Sequence, residues 1–202
     1  RPLSERRARL SELEAPGLTL SPSIDFDSWD ALTKARGGAR ARGVEGVMLK
    51  ALAGVYRYGR PRGEWWKWKV DPHTVDAVLM YAQSGSGRRA GQLTDYTFGV
   101  WDGDALVPIA KAYSGLTQDE IAKLDRWLRA NTQERFGPVR SVRAEQVFEL
   151  AFDSAQASTR HKSGVALRFP RMHRWRTDKR PEDANTLAEV RGLVASPAAG
   201  PG

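Results

Sequence analysis

Runs of apolar residues with the two-residue alternation of β-strands occupy much of the chain, and glycine, proline and aspartate separate them. They predict strands at Leu18–Leu20, Val44–Leu52, Trp65–Val70, Val75–Tyr81, Tyr96–Trp101, Leu106–Ala112, Gln146–Phe152 and Val165–Phe169. The fifth and sixth of these are predicted to form a hairpin around Asp102-Gly103-Asp104. Apolar residues at helical spacing predict a helix at Thr117–Ala130, which Thr117 and Glu120 begin with capping-box spacing. Two weaker helices are predicted, at Pro2–Glu14 and between Asp27 and Gly37.

The order of these elements predicts the fold. The last five strands, with the long helix between the third and the fourth, are typical of a small closed barrel of the oligonucleotide-binding (OB) type, although other small β-barrels share this pattern. Asp71-Pro72 is a predicted hinge, because proline restricts the residue before it and interrupts strand pairing. We therefore predict a mostly β, α+β chain with a first domain at 1–71, an OB-fold domain at 72–182, and a C-terminal extension and flexible tail at 183–202.

Composition narrows the class of protein. The 202 residues are 41% hydrophobic and 28% charged, which is typical of a globular chain. The absence of cysteine excludes a disulfide framework, a thiolate zinc site and a cysteine nucleophile. The three histidines lack metal-ligand spacing. No apolar run approaches the ~20 residues that cross a bilayer, so we expect a cytoplasmic protein without a membrane partner.

The net charge of +8 is concentrated in two segments. Residues 57–69 hold five basic residues against one acidic residue, and residues 160–180 hold eight against one. Such concentrated charge favours a polyanion partner, because each phosphate that is neutralised releases counterions. A basic, solvated face is the alternative interpretation.

Two strand segments carry candidate chemistry. In Glu45–Lys50 a carboxylate and an amine flank apolar residues, and Gly46 would let a ligand approach the backbone closely. In Trp66–Lys69 the alternation sends the tryptophans to one face and Lys67 and Lys69 to the other, about 7 Å apart, which suits one or two phosphates. An ordinary strand with charged residues at its surface explains each segment as well.

A third segment, Arg168–Lys179, is RFPRMHRWRTDK, in which bases recur every two or three residues. Asp178 is placed to orient Arg176 or Lys179 by a charge-assisted hydrogen bond. The density of bases favours phosphate binding over a solvated segment.

These three segments, in this order, resemble motifs of the covalent nucleotidyltransferases, most closely of an ATP-dependent DNA ligase of the bacterial, repair-associated kind. Glu45–Lys50 (EGVMLK) resembles motif IV of that family, Lys67–Lys69 (KWK) resembles motif V, and Arg168–Lys179 resembles motif VI. The resemblance spans nearly the whole chain. It implies that residues 1–71 are the C-terminal part of an adenylation domain and that an OB-fold domain follows.

The resemblance also implies a reaction: a lysine attacks ATP at the α-phosphorus, AMP passes to the 5′-phosphate of a nick, and the 3′-hydroxyl displaces AMP to seal the strand. ATP and Mg²⁺ are the implied cofactors. Glu45 would hold the metal, and Lys67 and Lys69, with Lys50, would contact the nucleotide. Arg176, Asp178 and Lys179 would orient the pyrophosphate leaving group.

Nicked double-stranded DNA and ATP or AMP are the implied partners of a monomeric, nucleoid-associated protein. The expected DNA-binding residues are Arg60, Arg88, Arg89, Arg160, Lys162, Arg168 and Arg171.

One family signature is missing from the 202 residues. The nucleophilic lysine of such ligases lies in a Lys-x-Asp-Gly sequence upstream of motif IV, and none occurs here; Lys123–Arg126 (KLDR) comes nearest but lacks the glycine and lies within the predicted helix. We therefore expect the C-terminal part of a ligase, inactive in self-adenylylation by itself, with the missing N-terminal part of the adenylation domain as a further partner. A non-catalytic OB-fold DNA-binding module is the main alternative, and an RNA ligase or mRNA capping nucleotidyltransferase is a lesser one.

Overall fold

A computed structural model describes residues 1–13, 15–85 and 91–194. The chain divides into two compact units, Arg1–Asp71 and Pro72–Gly202. In the described part of the chain, no helix is both long and apolar enough to span a membrane.

The first unit is built from short elements. They are helix α1 (Leu3–Ser11), helix α2 (Trp29–Gly37), a 3-10 turn (Arg40–Arg42), and strands β1 (Gly46–Lys50) and β2 (Trp65–Lys69), which pair antiparallel. Helix α2 begins where predicted, because the Ser28 hydroxyl accepts a hydrogen bond from the Ala31 amide. The predicted strand at Leu18–Leu20 is wrong: these residues pair with no strand, and the Leu18 amide donates instead to Ala15 in a turn.

The second unit is a strongly curled antiparallel sheet with two helices. Its elements are β3 (His73–Ser84), β4 (Leu93–Asp102), β5 (Ala105–Ala112), α3 (Gln118–Ala130), β6 (Thr132–Phe136), β7 (Val139–Val142), β8 (Val147–Phe152), β9 (Ser154–Ala157), β10 (Val165–Arg168), β11 (Arg171–Trp175) and α4 (Leu187–Gly192). The main sheet has the order β11-β8-β3-β4-β5. Strand β3 pairs with β8 along its first half and with β7 near its end, which curls the sheet into a half-barrel.

The predicted mostly β, α+β fold class is confirmed, and several elements form as expected. Helix α3 has the predicted capping box of Thr117 and Glu120. Strands β4 and β5 form the predicted hairpin, whose turn contains Gly103 at a φ of 61°, a left-handed conformation that glycine adopts readily. The predicted strands did not include β6, β7, β9 and β11, each of which has four or five residues and no more than two large apolar side chains.

The hydrophobic core lies inside the curled sheet. Phe98, Phe148 and Leu150 are fully buried there, and the rings of Phe98 and Phe148 lie 5.3 Å apart in an edge-to-face contact. Burial of aromatic and aliphatic side chains between the strands and α3 is the main source of stability for a unit of this kind.

The segment that follows residue 180 packs against the same body. Leu187 and Val190 of α4 are buried in its core. The backbone of Asn185 pairs with Asp76, since the Asn185 amide donates to the Asp76 carbonyl over 2.9 Å, and the Asp76 amide donates to the Asn185 side chain over 2.8 Å. The predicted flexible tail from Ala195 onward lies outside the described residues.

Candidate functional site

The β1–β2 hairpin of the first unit collects lysines on one face. Met48 lies opposite Lys67, and Lys50 lies opposite Trp65. Directly opposed residues of an antiparallel pair share a face, and side chains alternate along each strand. Lys50, Lys67 and Lys69 therefore share one face of the hairpin, and all three residues are exposed. Trp65 also lies on this face, which the sequence did not indicate.

Glu45 lies at the end of this lysine face. Its Oε2 atom is 2.8 Å from Nζ of Lys69, and both side chains are about half exposed. At the other end, Nζ of Lys50 lies 4.4 Å from the centroid of the Trp65 ring, a cation–π distance. The predicted residues of motifs IV and V thus come together on one surface.

The opposite face of the hairpin explains why it is held in place. The Trp68 ring contacts the Trp29 ring of α2 at 6.3 Å. Arg36 of α2 lies over Trp68 at 5.2 Å, and its Nε donates to the Lys69 carbonyl over 2.8 Å. Arg36 was missed by the sequence analysis, and the pattern of α2 carries no signal for it, because the contact joins residues far apart in the chain.

The sequence predicted that a ligand approaches the backbone at Gly46, and this prediction is wrong. A Cβ atom there would lie 2.3 Å from the Trp68 carbonyl oxygen and 2.7 Å from Cα of Lys69, at a φ of 143°. The space beside Gly46 is therefore filled by the backbone of the neighbouring strand and not by a ligand. The glycine is required for strand pairing, which holds Glu45 next to Lys69.

In the second unit, the end of the Arg168–Lys179 segment forms a dense ion cluster. Arg176 binds Asp178 through two parallel hydrogen bonds, Nε to Oδ1 over 2.9 Å and Nη2 to Oδ2 over 2.8 Å. Its third nitrogen, Nη1, donates to both oxygens of Asp76 over 3.2 Å. Lys179 donates to Asp76 over 2.6 Å. Of the two predicted partners of Asp178, Arg176 binds it, whereas Lys179 pairs with Asp76 instead.

The electrostatics of this cluster hold both members of the Arg176–Asp178 pair in their charged forms. The hydrogen bond to Asp178 raises the pKa of Arg176, and the neighbouring carboxylates Asp76 and Glu149 add to that effect. The hydrogen bond from Arg176 lowers the pKa of the Asp178 carboxyl well below its usual range. The side chains are therefore oriented as ions before any ligand binds.

Asp76 and Glu149 are members of the cluster that the sequence analysis missed. Asp76 is only 8% exposed, and Glu149 lies 3.6 Å from Nη1 of Arg176. A lone carboxylate inside the apolar run of β3 was a usable signal, because a buried charge requires a partner. The partner itself, 100 residues away, is not visible in the sequence.

The predicted DNA-binding residues fall into three groups. Arg60, Arg160, Lys162 and Arg168 are exposed. Arg171 is partly exposed and forms an ion pair with Asp153 over 3.2 Å. Arg88 and Arg89 lie outside the described residues.

A metal ion bound to the described residues would have few protein ligands. They contain no group of three histidine, aspartate or glutamate side chains that could hold an ion. Mg²⁺ retains several waters and is commonly held by one or two carboxylates together with substrate phosphates. The half-exposed carboxylate of Glu45 fits the role of a single protein ligand in such a site.

Comparison with solved structures assigns the fold to a class. A structure of a Lig E DNA ligase is similar with a TM-score of 0.61 and 20% identity, over 87% of this chain and 59% of that chain. The ligase domain of M. tuberculosis LigD is similar with a TM-score of 0.50 and 21% identity, over 76% of this chain and 51% of that chain. At this identity the likeness establishes the fold alone, which is that of the C-terminal, OB-fold part of a ligase.

Comparison of sequences identifies the family. Residues 89–179 match the family described as ATP dependent DNA ligase C terminal region. A probable DNA ligase of Koribacter versatilis is 43% identical over 87% of this chain, and one of Anaeromyxobacter sp. (strain Fw109-5) is 39% identical over 96%. The chain spans 31% and 38% of the lengths of these two relatives. The predicted resemblance is confirmed: the chain carries the C-terminal portion of an ATP-dependent DNA ligase.

Proposed function

We propose that the chain is the C-terminal part of an enzyme that seals nicks in duplex DNA through enzyme-AMP and DNA-adenylate intermediates, with ATP as the source of AMP. The observation that carries this proposal is the lysine face of the β1–β2 hairpin, where Lys50, Lys67 and Lys69 lie beside Glu45. Three ammonium groups on this face stand against one carboxylate, and a nucleotide phosphate would supply the further negative charge.

In this proposal the lysine face stabilises charge on the nucleotide. Adenylyl transfer develops negative charge on phosphate oxygens, and fixed cations lower its barrier. Lys67 and Lys69 neutralise the α-phosphate, and Lys50 adds a third ammonium group on the same face. Glu45 is already oriented by Lys69 and would hold Mg²⁺ as its one protein carboxylate, and the ion would supply further positive charge for the phosphate oxygens.

Motif VI has a separate role in the proposal. Arg176 and Lys179 orient the pyrophosphate leaving group while the enzyme becomes adenylylated, and Asp178 orients Arg176. The two-point hydrogen bond from Arg176 to Asp178 supports this, because it fixes the plane of the guanidinium. Arg176 and Lys179 also donate to the buried carboxylate of Asp76, which holds both cations in position without using up their charge.

The chain does not supply the nucleophile in this proposal. Its partner is the N-terminal part of an adenylation domain, carrying the Lys-x-Asp-Gly lysine. The composition of the first unit supports this, since Leu32 and Ala39 are the buried hydrophobic residues among its described residues, whereas Leu52, Tyr56 and Tyr58 are strongly exposed. Apolar surface of this kind marks an interaction site.

The test joins this chain to the preceding residues of the Koribacter versatilis relative and measures sealing of a nicked duplex. The chain alone is expected to form no covalent lysyl-AMP and to seal nothing, whereas the joined protein seals. Lys67→Ala and Lys69→Ala are each expected to lower the sealing rate by about 100-fold or more. Lys34→Ala, which removes an exposed lysine of α2, is the matched control. Equal rates for all three variants would contradict the proposal.

A non-catalytic DNA-binding module is the second candidate. It is favoured by the turn between β9 and β10, where Arg160 and Lys162 are exposed and form no ion pair with the described residues. Loss of Lys67 and Lys69 would then change only the salt dependence of DNA binding.

A further inference from the structure

The β6–β7 hairpin opposes two arginines that no motif of the sequence indicated. Arg135 of β6 lies directly opposite Arg140 of β7, one pair before a turn formed by Gly137 and Pro138. Directly opposed side chains of an antiparallel pair have Cβ atoms about 5 Å apart, and like charges in that position are destabilising. Neither arginine forms an ion pair with a carboxylate among the described residues.

A third guanidinium lies close to this pair. Arg129 of α3 and Arg135 both act on Arg140: burial lowers the pKa of Arg140 most, and the charges of Arg135 and Arg129 lower it further. Asp125 of α3 supplies a counter-charge, whose effect on the pKa of Arg140 is smaller than those of burial and of the two arginines. Asp125 is already occupied, because it accepts from Nε of Arg129 over 2.7 Å and from the Leu93 amide over 2.9 Å.

The cluster therefore has three guanidinium groups and one carboxylate, and the side-chain hydrogen bonds of that carboxylate go to Arg129. Arg140 is partly buried, and its neighbour across the sheet, Ala82 of β3, is buried. Because the backbone ladder fixes both Cα positions, Arg135 and Arg140 cannot separate by more than side-chain rotation allows. An anion that bridges them removes the repulsion that the fold imposes.

We propose that Arg135, Arg140 and Arg129 form a binding site for backbone phosphates of duplex DNA, separate from the residues that the ligase motifs indicate. The proposal rests on the DNA-sealing function proposed above and extends its DNA contacts to the β6–β7 hairpin. Guanidinium groups suit phosphate oxygens through paired hydrogen bonds. A site of this kind contacts phosphates and not bases, so it adds affinity without sequence preference.

The test measures binding of the full 202-residue chain to a fluorescent nicked duplex over a range of salt concentrations. Arg135→Gln together with Arg140→Gln is expected to lower the negative slope of log affinity against log salt by about 2, and affinity at 0.1 M salt by roughly 10- to 60-fold. The control removes two other charges, Lys123→Gln and Arg180→Gln. Lys123 acts on Glu120 and Arg180 pairs with Asp183, so each already has a carboxylate neighbour, and a change of less than about threefold is expected.

A second variant separates binding from folding. Arg135→Glu creates an opposite-charge pair with Arg140, so it is expected to raise the melting temperature while it weakens DNA binding. A fall in melting temperature, or unchanged DNA affinity, would overturn the proposal. Competition separates the two sources of phosphate, with ATP or pyrophosphate added at equal phosphate concentration to the unaltered chain and to the Arg135→Gln, Arg140→Gln variant. Equal displacement of the duplex from both is expected; displacement from the unaltered chain alone would assign the site to free nucleotide and overturn the proposal.

A third variant keeps this inference distinct from the proposed function. Arg160→Gln together with Lys162→Gln removes two basic side chains that the resemblance to DNA ligases already predicts to bind DNA. If that variant weakens binding and the Arg135, Arg140 variant does not, the hairpin site is wrong and DNA binding by the chain stands. If the unaltered chain shows no salt-dependent binding, the DNA function itself is wrong.

Discussion

Phe148→Ala tests how the barrel core supports motif VI. Phe148 is fully buried in β8 and lies between two aromatic rings. It meets Phe98 edge-to-face at 5.3 Å and stacks on Trp175 at 5.4 Å with an interplanar angle of 18°. Trp175 immediately precedes Arg176, whose amide donates to the Val147 carbonyl. The ring of Phe148 therefore packs beneath the residues that begin the ion cluster.

The magnitude follows from the packing. Truncation of a buried phenylalanine to alanine costs about 3–5 kcal/mol, with the larger values where the surroundings cannot collapse. The strands on both sides of Phe148 are fixed by backbone ladders, and two aromatic contacts are lost, so we expect about 4 kcal/mol. For a unit of this size that corresponds to a fall in melting temperature of roughly 12 °C.

The assay is urea unfolding at pH 7, followed by far-UV circular dichroism. Phe136→Ala is the matched control, because Phe136 lies on β6 with 56% of its surface exposed; we expect its effect to stay within about 0.5 kcal/mol. A difference between the two variants of less than about 1 kcal/mol would refute the packing described here.

Three further outcomes are expected. Asp76→Asn should lower the melting temperature measured by calorimetry, because Arg176 and Lys179 lose a buried carboxylate, whereas Asp104→Asn in the exposed β4–β5 turn should not; equal melting temperatures would be inconsistent with the ion cluster. Because the pKa of Asp178 is lowered in the folded chain, its carboxylate contributes stability above about pH 4 that is lost as the pH falls. The melting temperature should therefore fall in acid, and it should fall less in Asp178→Asn; identical pH profiles for the two proteins would exclude this contribution. Gly46→Ala should abolish ATP binding by the joined protein and weaken the β1–β2 pairing measured by hydrogen exchange, since a Cβ would overlap the Trp68 carbonyl; retention of both would show that the strand accommodates a side chain.

Local signals in the sequence predicted the elements that local interactions stabilise. The capping box at Thr117 and the turn at Gly103 each depend on a few neighbouring residues, and both formed as predicted. The sequence did not predict strand β6, because this strand is stabilised by pairing with β7 and exposes most of its side chains. Its sequence, TQERF, has no alternation of apolar and polar residues that would indicate a strand.

The candidate sites follow the same division. The lysines and Glu45 were visible because they lie within two short motifs. The role of Asp76 was not visible in the sequence, since its partners Arg176 and Lys179 lie 100 and 103 positions away. Arg135 and Arg140 were invisible for a different reason: they are five residues apart in sequence, and only the register of the turn makes them face each other.

Residues after the last ligase-like segment complete the second unit: Asn185 is hydrogen-bonded to the backbone of Asp76, and Leu187 and Val190 are buried. A premature stop codon just after Lys179 would leave in the product all three segments that resemble ligase motifs, yet remove these contacts. Such a product would expose part of its barrel interior to cellular proteases and lose the support for the Asp76 backbone. Intact motifs in a truncated reading frame would therefore be a poor guide to a working enzyme.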